Sequence, residues 1–274
     1  MLRDLLVHVD GSDAGRQRLR FAFDLAASTG ARVTGLHVTP PVEVRPLFKA
    51  STLPQATAEA STHLILDASA AAAVFKEETG RLSSDASWIE ASGDVVQGVS
   101  DKARYADLVL LGQYEWQGGP EAHPLPIAHS VVLRCGRPVL VVPAAFQSRP
   151  LAKIVIAWDG SREAVRAVHD ALPLLRLSRL VHLITITDES DSNREADAAN
   201  LSRHLSNHQI EVKSNVVTIK STDEHTALRQ QLERGRYDLI IMGGYSHPIW
   251  LEFIVGGATR SILLSSKIPI LVSH

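Results

Sequence analysis

Residues 154–161 read Ile-Val-Ile-Ala-Trp-Asp-Gly-Ser, and residues 5–12 read Leu-Leu-Val-His-Val-Asp-Gly-Ser. In each stretch an apolar run ends in Asp-Gly-Ser, and the two stretches lie 149 positions apart. A continuous apolar run is typical of a parallel strand that is covered on both faces of its sheet. The pair therefore predicts that the chain contains the same α/β unit twice.

A second pair of stretches supports the duplication. Residues 107–112 (Asp-Leu-Val-Leu-Leu-Gly) match residues 238–243 (Asp-Leu-Ile-Ile-Met-Gly), and this offset of 131 holds to the chain end. Between residues 107–142 and 238–273, 10 of 36 positions are identical. The two offsets differ by 18, so the first half carries about that many extra residues. Residues 39–54 are rich in proline and aperiodic, and we interpret them as a loop that holds this insertion.

Each half alternates short strands with longer helices, which predicts an α/β protein with two tandem doubly wound domains. Each domain is predicted to be a five-stranded parallel sheet with helices on both faces, over residues 1–145 and 151–274. The predicted strands are 4–10, 32–38, 87–92, 107–112 and 138–142, followed by 153–158, 181–187, 211–218, 238–243 and 269–273. The predicted helices include 58–79 in the first half, and 162–175, 193–207, 222–234 and 257–265 in the second.

Composition excludes several classes of protein. The chain has 274 residues, of which 45% are hydrophobic and 21% charged, as in ordinary folded domains. Its net charge is −2, so no nucleic-acid partner is expected, because nucleic-acid-binding domains usually carry a basic excess. No uncharged apolar stretch approaches the roughly 18 residues of a membrane span, and no signal peptide is recognisable. We therefore expect a cytoplasmic protein without a membrane partner.

Two smaller features have simple interpretations. Cys135 is the single cysteine, which excludes an intrachain disulfide, and a buried inert thiol is favoured over a redox sensor. His204 and His208 lie four residues apart on a predicted helix, and an exposed polar face is favoured over a metal site. No metal site is therefore expected.

Ligands of open parallel sheets bind at the carboxyl ends of the strands, where the strand order reverses. Strand one of each half is followed by Asp-Gly-Ser, which is also what a simple helix N-cap requires. Strand four of the second half leads into residues 243–257, where glycine pairs flank a loop and precede a helix. Glycine lets a backbone approach a phosphate, and a helix N-terminus attracts anions, although glycine pairs also occur in plain turns.

These features together resemble the universal stress protein family, over nearly the whole chain and in both halves. They are the Asp-Gly-Ser ends, the Asp-Leu-Ile-Ile-Met-Gly strand, the spaced glycines and the closing Pro-Ile-Leu-Val at residues 269–272. The resemblance implies a Rossmann-like fold of the adenine nucleotide alpha hydrolase type. Dinucleotide-binding, P-loop and nucleophile-elbow motifs are absent from the sequence.

The family's ATP-binding members carry Gly, two residues, Gly, nine residues, Gly, and then Ser or Thr. The second half has the same spacing, but Ser246 replaces a glycine and Gly257 replaces the hydroxyl residue. The resemblance implies that Asp159 lies near the ribose or the phosphates, and that Ile186 offers its backbone to the adenine. It also implies that Met242 and Gly243 form the floor of the nucleotide site. The N–H groups of the second glycine pair would then donate to the phosphates. The candidate nucleotide-binding residues are Asp159, Ile186, Met242, Gly243, Ser246, Gly256 and Gly257.

The first half departs further from the family pattern. Glu115 stands at the second glycine position, where a carboxylate repels an anion. Leu125 and Pro126 replace the second glycine pair, and proline has no N–H to offer a phosphate. ATP, accompanied by Mg²⁺, is therefore expected in the C-terminal domain alone, and the N-terminal site is degenerate.

The favoured function is a non-catalytic, nucleotide-responsive stress-response protein. A ligand-free structural or interaction module of the same fold is one alternative, and a slow ATP hydrolase is another. In the family, two domains pair through their last strands, and here residues 139–142 and 270–272 are apolar. We expect these strands to pair within the chain, and a further homodimer is compatible with the sequence.

Overall fold

The computed structural model describes residues 1–41, 53–80, 85–113, 127–188, 193–219, 224–244 and 258–274. The first half contains, in chain order, β1 (Asp4–His8), α1 (Asp13–Thr29), β2 (Arg32–Thr39), α2 (Leu53–Thr79), β3 (Ala86–Ser92), α3 (Val95–Ala103), β4 (Leu108–Gly112), α4 (Ile127–Cys135) and β5 (Val139–Val142). The second half contains β6 (Lys153–Ala157), α5 (Arg162–Leu175), β7 (Leu180–Asp188), α6 (Asn193–Asn207), β8 (Val212–Ile219), α7 (Glu224–Gly235), β9 (Leu239–Gly243), α8 (Ala258–Ser265) and β10 (Ile270–Ser273).

All ten of these strands form one sheet in the order β3-β2-β1-β4-β5-β10-β9-β6-β7-β8. Within each half every pairing is parallel, and the order 3-2-1-4-5 is that of a doubly wound sheet. The predicted α/β fold is thus confirmed. The strand order reverses beside β1 in the first half and beside β6 in the second.

The two halves meet at their last strands. β5 and β10 pair antiparallel, with Leu140 opposite Leu271. Because the two sets of parallel strands run in opposite directions, the carboxyl ends of β6, β7 and β9 lie at the edge opposite those of β1, β2 and β4. The connection between the halves is also anchored, since Phe146 is buried and packs edge-on against Phe21 with ring centroids 5.1 Å apart.

Hydrophobic cores cover both faces of the sheet and run across both halves. One face packs against α1, α2, α5 and α6, with Phe21 and Leu174 among its fully buried side chains. The opposite face packs against α3, α4, α7 and α8 and includes Val99 and Leu232. Adjacent strand residues such as Leu5 and Leu6 enter opposite cores, as the two-residue period of a strand requires.

The interpretation of residues 39–54 as a loop is wrong at its two ends, because Thr39 belongs to β2 and α2 already includes Leu53 and Pro54. α2 begins at Leu53, five residues before the predicted start, and its 27 residues exceed the 15 of α6. Pro54 lies in its first turn, where the missing N–H of proline costs no helical hydrogen bond. Residues 42–52 lie outside the described residues.

Candidate functional site

Four of the predicted site residues come together at one edge of the sheet. β9, β6 and β7 are neighbours, and Asp159 lies two residues after the end of β6. Met242 and Gly243 end β9, while Ile186 lies two residues inside the end of β7. This edge contains the switch point of the second half, where a doubly wound sheet forms its ligand crevice.

The β6–α5 junction is a well-formed helix cap. Ser161 is the N-cap of α5, and its hydroxyl accepts a hydrogen bond from Ala164 N at 3.1 Å. Asp159 Oδ1 accepts from Ser161 N at 2.9 Å and from Ser161 Oγ at 2.6 Å. The capping interpretation of the Asp-Gly-Ser motif is therefore correct for its serine. Asp159 Oδ2 has no hydrogen-bond partner among the described residues.

The backbone of Ile186 points towards the space beyond β6. The last β6–β7 hydrogen bond runs from Trp158 N to Ile184 O at 2.9 Å, and β6 ends at Ala157. Backbone groups two residues apart in a strand point to the same side, so those of Ile186 face the β6 side as well. At the level of Ile186 no described strand lies on the β6 side of β7, because β6 ends at Ala157. The other side of β7 stays paired with β8 as far as Asp188.

Gly243 lets α5 approach the end of β9 closely. A Cβ built on Gly243 would lie 2.5 Å from Ala164 N and 2.8 Å from the carbonyl carbon of Glu163. Both contacts are with backbone in the first turn of α5, so no side-chain rotation could relieve them. Met242, one residue earlier, is buried between Ala157 and Val272. The glycine thus holds the helix N-terminus against the floor of the crevice.

Gly243→Ala is expected to lower the free energy of unfolding by about 1–3 kcal/mol, because the methyl group forces α5 away from β9. Urea denaturation followed by circular dichroism measures this change. Gly80→Ala is the control, since its Cβ would meet only the carbonyl oxygens of Lys76 and Glu77, at 3.3 and 3.6 Å. Equal effects of the two substitutions would contradict the close approach at Gly243.

Two polar side chains at this edge were not singled out by sequence reasoning. Trp158 Nε1 and Thr185 Oγ1 are buried and have no hydrogen-bond partner in the described part of the chain. The first half has Val9 and His37 at the corresponding places, and His37 Nδ1 donates to Val9 O at 3.0 Å. Buried polar groups are normally satisfied, so these two atoms keep hydrogen-bonding capacity among the described residues, whereas His37 Nδ1 in the first half is satisfied. Comparing the halves residue by residue is the signal that could have found Trp158.

The remaining site residues cannot be placed. Ser246, Gly256 and Gly257 lie outside the described residues. The same holds for Glu115, Leu125 and Pro126 of the first half. The proposed phosphate loop therefore rests on its sequence alone.

In the first half an arginine occupies the corresponding crevice. Arg18 of α1 is 2% exposed, and its Nη2 lies 2.7 Å from Asp10 Oδ2. Its Nε donates to His8 O at 2.8 Å. A Cβ built on Gly112 would lie 2.3 Å from Arg18 Nη1, so the guanidinium fills the space beside the end of β4. The matching position in α5 is Ala167, so no guanidinium extends from this position in the second half.

The long helix α2 closes the β1–α1 junction from the other side. Asp67 Oδ1 accepts a hydrogen bond from Gly11 N at 3.2 Å. A Cβ on Gly11 would lie 2.6 Å from Ala70 Cβ, so helix and junction are in direct contact. An internal carboxylate thus already occupies a backbone donor at this junction.

His8 lies within this polar cluster of the first half. Burial, followed by the positive charge of Arg18, lowers the pKa of His8 to about 4. Asp10 acts in the opposite direction, and His37 lowers the pKa further. The imidazole is therefore neutral at physiological pH, which avoids a second positive charge beside Arg18.

The sequence also offered Cys135 and the pair of His204 and His208 as candidate sites. Cys135 is buried, and burial raises the pKa of its thiol, as expected for an unreactive cysteine. His204 and His208 stack edge-on with ring centroids 4.8 Å apart. Within the described ranges no three His, Cys, Asp or Glu side chains are grouped to hold a metal ion. No described helix is long and apolar enough to cross a membrane.

Comparisons with known proteins agree with one another. A model of the universal stress protein family matches residues 1–143 and again residues 151–274. A curated universal stress protein from Synechocystis is 22% identical over 289 residues, which cover 98% of this chain and 99% of that protein. A crystal structure of a universal stress protein from Archaeoglobus fulgidus superposes with a TM-score of 0.68 at 17% identity, covering 98% of this chain and 95% of that one. A functionally unknown protein from Pseudomonas aeruginosa superposes with a TM-score of 0.62 at 13% identity, covering 99% and 92%.

Proposed function

The chain belongs to the universal stress protein family, and from this premise we propose that it is a non-catalytic, nucleotide-responsive protein that binds ATP in its second half. The family resemblance supplies adenine nucleotide as the ligand class. One observation of the structure carries the proposal: Ile186 turns open backbone groups towards the end of β6, where Asp159, Met242 and Gly243 meet. We further propose that the protein acts in the cytoplasm during stress.

The residues present fit an adenine nucleotide. The Ile186 backbone offers a donor and an acceptor to an adenine edge, and the buried Met242 provides an apolar floor. Trp158 Nε1 and Thr185 Oγ1 are buried polar atoms without described partners at the same edge. Asp159 Oδ2 is an oxygen ligand of the kind that Mg²⁺ prefers. Gly256 and Gly257 would give their N–H groups to the phosphates.

The first half has a structural role in this proposal. Arg18 fills the crevice beside Gly112, and Asp67 caps the N–H of Gly11. These contacts involve other residues than Glu115, Leu125 and Pro126. Both sets of residues disfavour a nucleotide in the first half. We therefore expect at most one nucleotide per chain.

Saturating ATP with Mg²⁺ is expected to stabilise the full-length protein by about 2.7 kcal/mol at a hundred times the dissociation constant. Thermal unfolding should then shift upwards by several degrees, and native mass spectrometry should show one nucleotide per chain. Absence of a shift at millimolar ATP would reject the site and favour the ligand-free interaction module. Release of phosphate by the purified protein would favour the slow hydrolase instead.

Exchanging loop residues between the halves locates the site. Gly256→Leu/Gly257→Pro places the first half's residues in the second-half loop, and we expect it to abolish the ATP-dependent shift. The loss follows because proline removes an N–H and leucine hinders close approach of the backbone to a phosphate. The converse variant, Leu125→Gly/Pro126→Gly, is the matched control and should leave one site per chain. Unchanged ATP binding by the first variant would show that this loop does not hold the phosphates.

A further inference from the structure

A cavity of about 710 Å³ lies at the amino ends of β9 and β10. It opens between the ends of α7 and α8 and the connection that joins the two halves, and all its lining residues are described. It is separated from Asp159 and Gly243 by the length of the strands, so it is not part of the proposed nucleotide site. Its volume falls in the range of roughly 300–1,000 Å³ that is typical of small-molecule sites. We call it the basic cavity, after the residues Arg149, Arg229, Arg236 and Lys267 that line it.

Positive charge exceeds negative charge in the basic cavity. The four cationic residues face two acidic ones, Glu233 and Asp238. Asp238 is already engaged, because its Oδ1 lies 3.0 Å from Arg149 Nε and its Oδ2 accepts from Lys153 N at 2.8 Å. Three cations therefore share a single uncommitted carboxylate, in a chain whose net charge is −2. This excess favours an anionic ligand.

Two helices end at the basic cavity, and a helix carboxyl end by itself favours cations. Here protein donors already bind carbonyl groups at both of these helix ends. Lys153 Nζ donates to Gly235 O at 2.7 Å at the end of α7. Gln113, from the first half, donates to Leu263 O at 2.9 Å and to Ser266 O at 3.0 Å at the end of α8. The cationic side chains of the basic cavity are thus not needed to cap the helices.

Arg236 has an unusual backbone for its position. Its φ is 49°, in the left-handed region that L side chains rarely adopt, directly after the end of α7. Glycine is the usual residue there. An arginine at this place destabilises the local backbone while it adds a guanidinium to the wall of the cavity. A function at the cavity would explain why the position is not glycine.

The floor of the basic cavity is apolar. Leu232, Ile240 and Ile262 line it and are buried in the core on that face of the sheet. Tyr237 adds a buried ring, over which Lys153 Nζ lies 4.9 Å from the centroid. A wall of cations above an apolar floor suits a ligand with one charged end and one apolar body.

We propose that the basic cavity binds a small organic anion, with an aromatic or aliphatic body and a carboxylate, sulfonate or phosphate group. The apolar body rests on Leu232, Ile240 and Ile262. The anionic group meets Arg229, Arg236 and Lys267. This site is additional to the nucleotide site and does not depend on it.

The probe for this site is 8-anilinonaphthalene-1-sulfonate, a fluorescent organic anion of this class. We expect the folded full-length protein to bind it saturably at one site per chain. Arg236→Gly and Lys267→Gln should each weaken binding about tenfold, since each removes a charge-assisted contact. Arg234→Gln is the matched control, because Arg234 belongs to α7 but does not line the cavity, and it should leave the affinity unchanged.

The design separates loss of the site from loss of the fold. Arg236→Gly introduces glycine, the residue best suited to the positive φ at this position. The melting temperature of this variant should therefore equal or exceed that of the wild type. Gly256→Leu/Gly257→Pro changes only the loop of the nucleotide site and should leave the dye affinity unchanged. Loss of dye binding in this variant would place the dye in the nucleotide crevice and overturn the proposal. Equal affinity of wild type and an Arg236→Gly/Lys267→Gln variant, or no saturable binding at all, would overturn it as well.

Discussion

Arg18→Met is expected to lower the free energy of unfolding by about 3 kcal/mol, the lower end of the loss seen when one partner of a buried ion pair is removed. Methionine retains most of the apolar volume, so the change reports on charge and hydrogen bonding. Without Arg18, the carboxylate of Asp10 and the carbonyl of His8 lose partners at 2.7 and 2.8 Å. The lower end applies because the Asp10 side chain keeps 34% of its surface exposed to water. Urea denaturation at pH 7 measures the loss.

Two further variants test the cause of this loss. Arg32→Ala removes the ion pair with Asp4, whose side chains are 52% and 42% exposed, and should cost less than about 1 kcal/mol. Adding Asp10→Asn to Arg18→Met removes the orphaned charge and should recover part of the stability. If Arg18→Met and Arg32→Ala lowered the free energy of unfolding equally, Arg18 would not form a stabilising buried pair.

His8→Ala is expected to remove about 3 kcal/mol of acid sensitivity between pH 6.5 and pH 4. Burial and then Arg18 lower the pKa of His8 to about 4 in the folded protein, whereas the unfolded chain takes up the proton near pH 6.5. In that window unfolding binds a proton, so the wild type loses stability as the pH falls. Below about pH 4 both states are protonated and the contribution of His8 no longer changes. Alanine is chosen because Ala157 stands at the matching place in β6.

The measurement is the free energy of unfolding of wild type and variant at intervals from pH 7 to pH 4. The difference between the two proteins should change by roughly 1.4 kcal/mol per pH unit within the window. His204→Ala is the control for loss of a histidine side chain that is exposed rather than buried. Parallel profiles of wild type and His8→Ala would contradict the lowered pKa.

The fold was predictable because its signals are local and repeated. α5 and α6 begin and end at the predicted residues 162–175 and 193–207, since apolar strands bound them on both sides. The predicted start of α2 was wrong. A proline near a helix start indicates a loop when the preceding sequence is also rich in proline. Proline gives the same signal in a turn and in a first helical turn.

The candidate site was predictable only in part. The repeat and the switch-point rule placed Asp159 and Gly243 at one edge, where the structure has them. Arg18 was missed, because a single arginine on a helix is normally solvent-exposed and no motif marks it as buried. Trp158 was missed for a similar reason, since burial of its indole nitrogen depends on contacts distant in sequence.

The joint between β5 and β10 makes the two halves one cooperative unit. Each face of the sheet has a single core that includes residues from both halves, and the strands at the joint are fully buried. Partial unfolding of either half would expose the apolar strand of the other, which is energetically costly. Free energy gained by a ligand in the second half therefore also protects the first half against unfolding. If the second half binds nucleotide as proposed, the stability of the first half would in this way depend on the nucleotide concentration as well.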